Sequence, residues 1–414
     1  GAAESAVSKF VDRYRYGAGW EYDHPLEKRA LERGYGIIVW QEQVVQLLMD
    51  VGSMSAAEAD RVRRAFAKSS NGHLVAMYRS HFLEGALNNG VDQEGALKIW
   101  QKVNGQYMFP ESHSHAFAIT AYQAAWLKRH HPLEFFVALM NSQPMGFYPV
   151  ETLKQDARRF GVPFLNPCVL GSEPSAIPHN GCVLLGLGLV KDVGPGSASL
   201  IVEEREEHGP YIGAGDLVRR TGIRPQAVES LVMAGAFDRI TPNRRQSLWD
   251  AGLYASPKRN GQAALPLSME DSIPNLGDFS EAERMAGEYR TMGIYPRGHL
   301  MQFVRPGLPS EVMTCAEVES LGDEDFAVVA GWPIARQHPK GRDGTIFVTI
   351  EDETGDTQVI LWPGVYAQYR RELSSQVILV RGTISAWDGT VNVIASEVRA
   401  IRSAVRMPRS HDWR

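Results

Sequence analysis

Leu189-Val190-Lys191-Asp192-Val193-Gly194-Pro195-Gly196 is the stretch from which the rest of the chain can be organised. It sits between two apolar, helix-like segments. Gly194 and Gly196 place no Cβ over the backbone, so the N–H groups of the turn can come close to a phosphate. Lys191 adds a positive charge. This is the layout of a helix-hairpin-helix, which grips a nucleic-acid backbone without reading its sequence. The same residues also read as a plain Gly/Pro turn. A second helix pair, joined by Thr221-Gly222-Ile223 and running from Val228 to Gly235, repeats the layout and favours the first reading.

Upstream of the hairpin the pattern is helical. Gln41 to Met49 is an apolar-rich helical stretch, and Ser55-Ala56-Ala57-Glu58 is a capping box opening a helix through Ala59, Val62, Ala65 and Phe66. Asn88-Asn89-Gly90 stops another helix, because Asn and Gly accept left-handed angles. Asp92 caps Gln93 to Val103, and helices are predicted over Ala116 to His130, Pro132 to Met140 and Val150 to Phe160. Pro, Gly and aromatic residues from Pro144 to Pro149 mark a boundary. Downstream, further helices are read over Gly213 to Arg220, Pro225 to Ala234 and Ser280 to Met292. Between the last two, residues 255–278 hold Ser, Pro, Gly and Asn with little periodicity and read as an exposed linker.

The last hundred residues change period from helical to two. Strands are predicted at Phe326–Ile334, Thr345–Glu351, Gln358–Trp362, Val377–Ser385 and Val391–Ser396, with a helix from Val365 to Leu373. Asp388-Gly389 is a strong hairpin signal. Five strands with a helix between the third and fourth is the order of an OB-fold barrel. Such barrels stack single-stranded bases on aromatic rings beside cations. Trp332, Phe347, Trp362 and Trp387 supply rings, and Arg336, Lys340, Arg342 and Arg381 supply charge. Phe347, with apolar flanks, reads as barrel core; Trp387, beside the Asp-Gly turn, reads as exposed.

Composition bounds the function. The chain has 414 residues, 44% of them hydrophobic, enough for two to four domains with real cores. No apolar run can cross a bilayer. Gly1 to Lys9 lack the layout of a signal peptide, and without Met the start reads as a cut or a junction. Cys168, Cys182 and Cys315 lie far apart, which excludes a CxxC zinc site and fits a reducing cytoplasm. The net charge of −5 weighs against a wholly basic nucleic-acid binder, but Arg61-Val62-Arg63-Arg64, Arg158-Arg159 and the Arg-rich tail form local patches.

Two further segments could carry chemistry. Arg61, Arg64 and Lys68 share a helical stripe, beside Arg63, and guanidinium forks suit a triphosphate; the competing reading is a solvated helix face. Pro110-Glu111-Ser112-His113-Ser114-His115 places hydroxyls and imidazoles just before a helix, where an anion can bind. No Cys or further carboxylate joins the two histidines at ligand spacing. Glu351-Asp352-Glu353 reads as a solvated acidic turn. Nucleotidyl transfer needs paired carboxylates for two metal ions. No Asp-x-Asp lies on a convincing strand outside the exposed Asp323-Glu324-Asp325, and there is no P-loop and no supported Ser-His-Asp set.

Several of these segments resemble the alpha subunit of bacterial DNA polymerase III. Tyr35-Gly36-Ile37-Ile38-Val39-Trp40-Gln41-Glu42-Gln43-Val44, Ala59-Asp60-Arg61-Val62-Arg63-Arg64-Ala65 and Phe109-Pro110-Glu111-Ser112-His113-Ser114 are similar to that family's fingers region. Tyr122 to Lys128, His131 to Phe135, Gly186 to Lys191 and Met292-Gly293-Ile294-Tyr295-Pro296-Arg297-Gly298-His299 follow in the family's order. Pro110-Glu111, where replicative enzymes usually carry Asn-Lys, and a short tail without a tau-binding domain resemble the error-prone branch used in damage-induced mutagenesis. Met108 departs from a common Gly.

The resemblance implies a multidomain α plus β chain. It would comprise helical fingers (1–145), a tandem helix-hairpin-helix domain (146–240), a linker and helix (241–320), a five-stranded OB-fold β-barrel (321–405) and a basic tail (406–414). It implies that Arg63, Arg64, Lys68, Ser112, His113 and Ser114 face the incoming dNTP, and that Lys191, Gly194, Gly196, Trp332, Arg336, Arg381 and Trp387 face primer-template DNA. The palm, with its catalytic carboxylates and Mg2+, would lie upstream of Gly1, so this chain alone is expected to be inactive and to bind no metal. Ala264-Leu265-Pro266-Leu267-Ser268 lies where the family often carries a sliding-clamp peptide, with its Gln and Phe positions substituted; Leu265 and Leu267 would be the clamp contacts. Mutasome accessory proteins are further expected partners. The rival reading is a DNA-binding scaffold that kept these parts and lost catalysis.

Overall fold

The computed structural model describes residues 2–66, 72–103, 109–146, 149–254, 276–339, 344–387, 389–402 and 411–413. The chain divides into two compact units, Gly1–Trp126 and Leu127–Arg414.

The first unit is helical: α1 (Ala2–Tyr16), α2 (Lys28–Leu31), α3 (Gln41–Asp50), α4 (Ala56–Phe66), α5 (Gly72–Asn88), α6 (Gln93–Val103) and the start of α7 (Glu111–His130). Ser55 caps α4 as its sequence requires, its hydroxyl accepting from the Glu58 amide at 3.4 Å while Glu58 takes the Ser55 amide at 3.0 Å. Asp92 takes the Gly95 amide at the head of α6, and Gly90 after α5 has φ +81°. Leu31, Val44, Leu47, Leu48, Val62, Phe82, Ile99 and Trp100 make the core. Val44, Leu47 and Leu48 on α3, and Ala96, Ile99, Trp100 and Val103 on α6, recur at helical spacing, so each of these two helices turns one stripe inward.

In the second unit, α8 (Pro132–Asn141) and α9 (Val150–Arg159) lead to a small sheet of β1 (Phe164–Leu165), β2 (Ile177–His179) and β3 (Cys182–Leu184), in the order β1-β3-β2. Then come α10 (Gly194–His208), α11 (Ala214–Thr221), α12 (Pro225–Met233) and α13 (Arg244–Tyr254). The sequence boundary near Pro144 falls inside this unit, because Phe136 and Met140 of α8 pack into the same core as Leu185, Ile201, Leu217 and Phe237.

After α14 (Glu281–Met292), α15 (Met301–Val304) and α16 (Cys315–Val318), the chain enters the barrel: β4 (Phe326–Gln337), β5 (Ile346–Glu351), β6 (Asp356–Leu361), α17 (Pro363–Tyr369), β7 (Val377–Trp387) and β8 (Thr390–Ile401). The strand order is β5-β6-β8-β7-β4, and β4 pairs back onto β5 to close it. The five strands and the intervening helix come in the expected order, with β4 and β8 running past their expected ends to Gln337 and Ile401 and the helix starting and ending earlier than expected. Gly382 is required at the β7 bulge, since a Cβ there would lie 2.1 Å from the Ile394 carbonyl oxygen. A further strand, β9 (His411–Trp413), adds to β4 in parallel, which the sequence pattern did not foretell.

Ile346, Val348 and Ile350 fill the barrel. Phe347 alternates to the other face of β5 and is only half-buried, so its expected core position is corrected by the pleat itself. The acidic turn is corrected too. Glu351 and Asp352 are buried rather than solvated. Asp352 accepts from the Thr354 and Gly355 amides at 2.7 and 3.1 Å, from the Cys315 amide at 2.8 Å and from Arg305 at 2.7 Å.

A buried polar cluster ties α9 and the segment after α14 to the barrel. Lys154 donates to Glu151 and to the carbonyls of Tyr295, at 2.7 Å, and Gly298. Glu151 also accepts the Tyr295 amide at 3.1 Å. His299 Nδ1 accepts the Met301 amide at 3.2 Å, which leaves the proton on Nε2, 3.4 Å from Glu351 Oε1.

Candidate nucleotide and nucleic-acid sites

The nucleotide candidates are built on three helices of the first unit. Arg63 and Arg64 project from the last turn of α4. Asp60, one turn earlier, gathers both: its Oδ1 accepts from Arg63 Nε at 3.0 Å and Nη2 at 2.8 Å, and its Oδ2 accepts from Arg64. Arg63 Nη1 donates to Gln41, the first residue of α3. Hydrogen bonds from Arg63 and Arg64 hold the Asp60 carboxyl below the usual carboxylate range. Arg63 is largely covered, with 26% of its side chain exposed against 71% for Arg64.

The start of α3 also touches the start of α7. The Gln41 amide donates to the Phe109 carbonyl at 3.1 Å, and Glu42 accepts the Glu111 amide at 2.9 Å. Arg33 pairs with Glu111. The helix begins at Glu111 rather than at Ala116, so Ser112, His113 and Ser114 lie within its first turn. Ser112 and His113 are exposed. His113 lies between Phe109 and Phe117, with ring centroids 5.0 and 4.5 Å away, and Ser114 donates back to the Pro110 carbonyl at 2.9 Å. Gln41 thus joins the arginine helix to the hydroxyl-bearing helix start. The sequence drew attention to Arg63, Arg64 and the Ser-His-Ser turn but not to Asp60, Gln41 or Glu42; the one available signal was the i,i+3 and i,i+4 spacing of Asp60 from the two arginines. Lys68 lies outside the described residues.

In the second unit, the first hairpin follows a single turn of tight helix, Leu187–Leu189, rather than a full one. Gly194 has φ +67°, which only glycine adopts without strain. A Cβ at Gly194 or Gly196 would meet nothing within 4 Å. At Gly196 neither backbone angle nor packing therefore demands glycine. Both positions open the head of α10 to solvent, with Lys191 exposed beside them and its amide fixed to the Thr291 carbonyl at 2.8 Å. The second hairpin is built differently: Gly222, φ +63° and open, caps the C-terminus of α11, its amide donating to the Val218 carbonyl at 2.9 Å, ahead of α12.

On the barrel, Trp387 is 84% exposed at the β7–β8 tip, as its place beside the turn implied, and Trp362 is exposed. Trp332 is corrected. It is 1% exposed, packed with Met285, Tyr289, Leu300 and Leu379 under α14 and α15, so it offers no face to a base. Arg336 donates to the Leu373 carbonyl and Arg381 pairs with Glu311, which tethers both cations to the barrel wall. Phe326, 61% exposed at the start of β4, is a ring that the sequence pattern did not single out. Lys340, Arg342, Leu265 and Leu267 lie outside the described residues, as does most of the basic tail. Among the described residues, the group Glu204, Glu207 and His208 on α10 comes nearest to a metal-ligating set, and Glu204 is already bonded to Arg220 and His208. No helix among the described residues is long and apolar enough to cross a membrane.

Comparison with known proteins joins these pieces. The description "Bacterial DNA polymerase III alpha subunit finger domain" matches residues 1–90, "Helix-hairpin-helix motif" matches 161–247, and "OB-fold nucleic acid binding domain" matches 327–401. The error-prone DNA polymerase of Mycolicibacterium paratuberculosis is 37% identical over 402 residues, 95% of this chain and 36% of the relative. That of Burkholderia pseudomallei is 38% identical over 396 residues, 91% of this chain and 37% of the relative. That of Mycobacterium tuberculosis is 36% identical over 402 residues, 95% of this chain and 36% of the relative. The chain spans little more than a third of the length of these relatives. With all three domain types in the family's order and this likeness along nearly its whole length, the chain belongs to the bacterial DNA polymerase III alpha-subunit family, on its error-prone branch.

Proposed function

We propose that the chain is the nucleotide- and DNA-gripping portion of an error-prone DNA polymerase. In this reading Arg63 and Arg64 hold the triphosphate of the incoming dNTP beside the Ser112-His113-Ser114 turn. The two open hairpins at Gly194 and Gly222 take phosphates of the duplex through backbone amides. Trp387 and Trp362 stack bases of the single-stranded template. The observation that carries the reading is the junction at Gln41, which links the paired arginines to a helix start where Ser112 and His113 are exposed and able to meet phosphate oxygens.

Chemistry at a triphosphate also calls for Mg2+ on paired carboxylates. The carboxylates nearest the arginines are poorly suited to holding it. Asp60 is engaged by two guanidinium groups, Glu111 by Arg33, and Glu42 by an amide. We therefore assign the metal to another part of the polymerase, so that this chain alone is inactive. A sliding clamp, through Leu265 and Leu267, and mutasome accessory proteins are proposed partners on the same footing.

The test is steady-state kinetics of the full-length polymerase on a primer-template. Arg63→Ala with Arg64→Ala is expected to raise the dNTP KM or lower kcat, by roughly tenfold to a hundredfold in kcat/KM. Unchanged kinetics would remove the two arginines from the nucleotide site.

A further inference from the structure

Arg63 and Arg64 occupy neighbouring positions but are held very differently. Three of the five N–H groups of Arg63 are engaged, two by Asp60 Oδ1 and one by Gln41. Arg64 makes a single described bond, to Asp60 Oδ2, and is mostly exposed. An i,i+3 or i,i+4 ion pair alone would be ordinary helix-surface chemistry. The contact with Gln41 is not of that kind. It reaches 22 residues along the chain to another helix, and it fixes the far end of the guanidinium. Gln41 is itself anchored: its amide donates to Phe109 at 3.1 Å, in the bridge where Trp40 pairs with Phe109. Arg63 is thus held on two sides by groups from two helices, and two of its N–H groups have no partner among the described residues and are left for an incoming oxygen.

We infer that Asp60 and Gln41 are positioning residues that set the Arg63 guanidinium for the nucleotide's phosphates, with Asp60 also keeping Arg64 close. The inference rests on the nucleotide reading above and adds to it the two residues that orient the cations. A planar guanidinium bonds a phosphate through a fixed fork, so its plane must be set before the ligand arrives; a free arginine loses side-chain entropy in finding it. Asp60 and Gln41 make no contact with phosphate themselves in this scheme. They act through Arg63.

The experiment is dNTP kinetics of the full-length polymerase carrying Asp60→Ala, Gln41→Ala or Gln41→Glu, beside Arg63→Ala with Arg64→Ala. Positioning requires the dNTP KM to rise about fivefold to twentyfold in Asp60→Ala and Gln41→Ala, with kcat within about twofold. Gln41→Glu keeps the acceptor oxygen and is expected to hold the KM near that of the parent, and a rise confined to KM in Gln41→Ala, with an unchanged unfolding midpoint, is what a merely structural role would not give. Should Asp60→Ala disturb α4, Gln41→Ala tests the same contact from another helix. If the double arginine variant raises KM and neither Asp60→Ala nor Gln41→Ala does, positioning is overturned while the nucleotide reading stands. A KM that falls in Asp60→Ala overturns it as well, since Asp60 would then compete with the nucleotide. If the double arginine variant leaves the kinetics intact, the nucleotide reading itself fails.

Discussion

The arginine pair on α4 and the lysine on α9 are both cations bonded to a carboxylate one turn away, and they differ in their access to water. Arg63 and Arg64 share Asp60 where part of each side chain reaches solvent, which screens the pair. Lys154 and Glu151 are wholly buried, and the lysine's remaining protons go to the Tyr295 and Gly298 carbonyls. Burial pushes Lys154 towards its neutral form, and Glu151 opposes that push. One arrangement suits a ligand site. The other suits a joint, since it has no room for an exchanging partner and ties α9 to the segment that leads into the barrel. Residue type and spacing are nearly the same in the two places, so it is the surroundings that assign the role.

The sharpest way to break this contrast is to remove the buried cation. Lys154→Met leaves the Glu151 carboxylate without its counter-charge, and the Tyr295 and Gly298 carbonyls without the lysine's protons, in a dry site. A loss of about 3–5 kcal/mol in folding stability is expected, read from urea unfolding followed by circular dichroism. Adding Glu151→Leu should return much of that loss, because an apolar pair of similar volume costs little. A small loss in the single variant would show that the pair is not a joint.

The second test uses protons. Burial, reinforced by the charge of Glu151, pushes Glu351 up to about 8 from its ordinary 4.5, with Arg159 and Lys154 pulling the other way. The unfolded chain therefore gives up this proton first. The stability Glu351 contributes is fully present below about 4.5 and is lost as pH rises through about 8. His299 works in the opposite sense. Burial lowers it from 6.5 to about 4, so its contribution holds above 6.5 and is lost as pH falls through 4. Glu351→Gln keeps the side chain's size and removes the titration. Relative to the parent, the variant should gain roughly 2–4 kcal/mol between pH 5 and pH 8 and nothing further above that. Parallel pH profiles for variant and parent would mean that Glu351 stays ionised.

Much of this was legible in the sequence, for local reasons. The barrel declared itself because Ile346, Val348 and Ile350 alternate with Phe347 and Thr349, and the start of α4 because the capping box at Ser55 is complete within four residues. The arginine stripe was legible because a helix face depends only on spacing. The joint was not, since Lys154 meets Tyr295 and Gly298 across more than 140 residues. The segment Met292 to His299 stood out as a family-like motif with no role attached; its backbone carbonyls and His299 turn out to line that joint. Trp332 was misread because a ring near cations resembles a base platform. The run Ala327 to Trp332 is apolar on both faces, however, and that is the mark of a strand covered on both sides, here by the barrel interior on one and by α14 and α15 on the other. Helix α13 escaped notice because its inward residues include Arg244 and Ser247. Arg244 is buried against Asp238 and Glu288, a placement no hydrophobic period can show.

The smallest effect completes the comparison from the surface side. Asp60→Asn removes the counter-charge of both arginines while keeping the side chain's shape. Asp60 is 34% exposed, and its low carboxyl reflects its two arginine partners rather than a dry setting. The unfolding midpoint of the variant should therefore be indistinguishable from that of the parent at moderate salt, because screened pairs of this kind contribute little to folding. The same substitution is expected to register in nucleotide kinetics, where the orientation of Arg63 matters and the stability of α4 does not. A marked drop in the midpoint with unchanged kinetics would exchange the two roles: the surface pair would then be the structural one, and the contrast with Lys154 would no longer follow access to water.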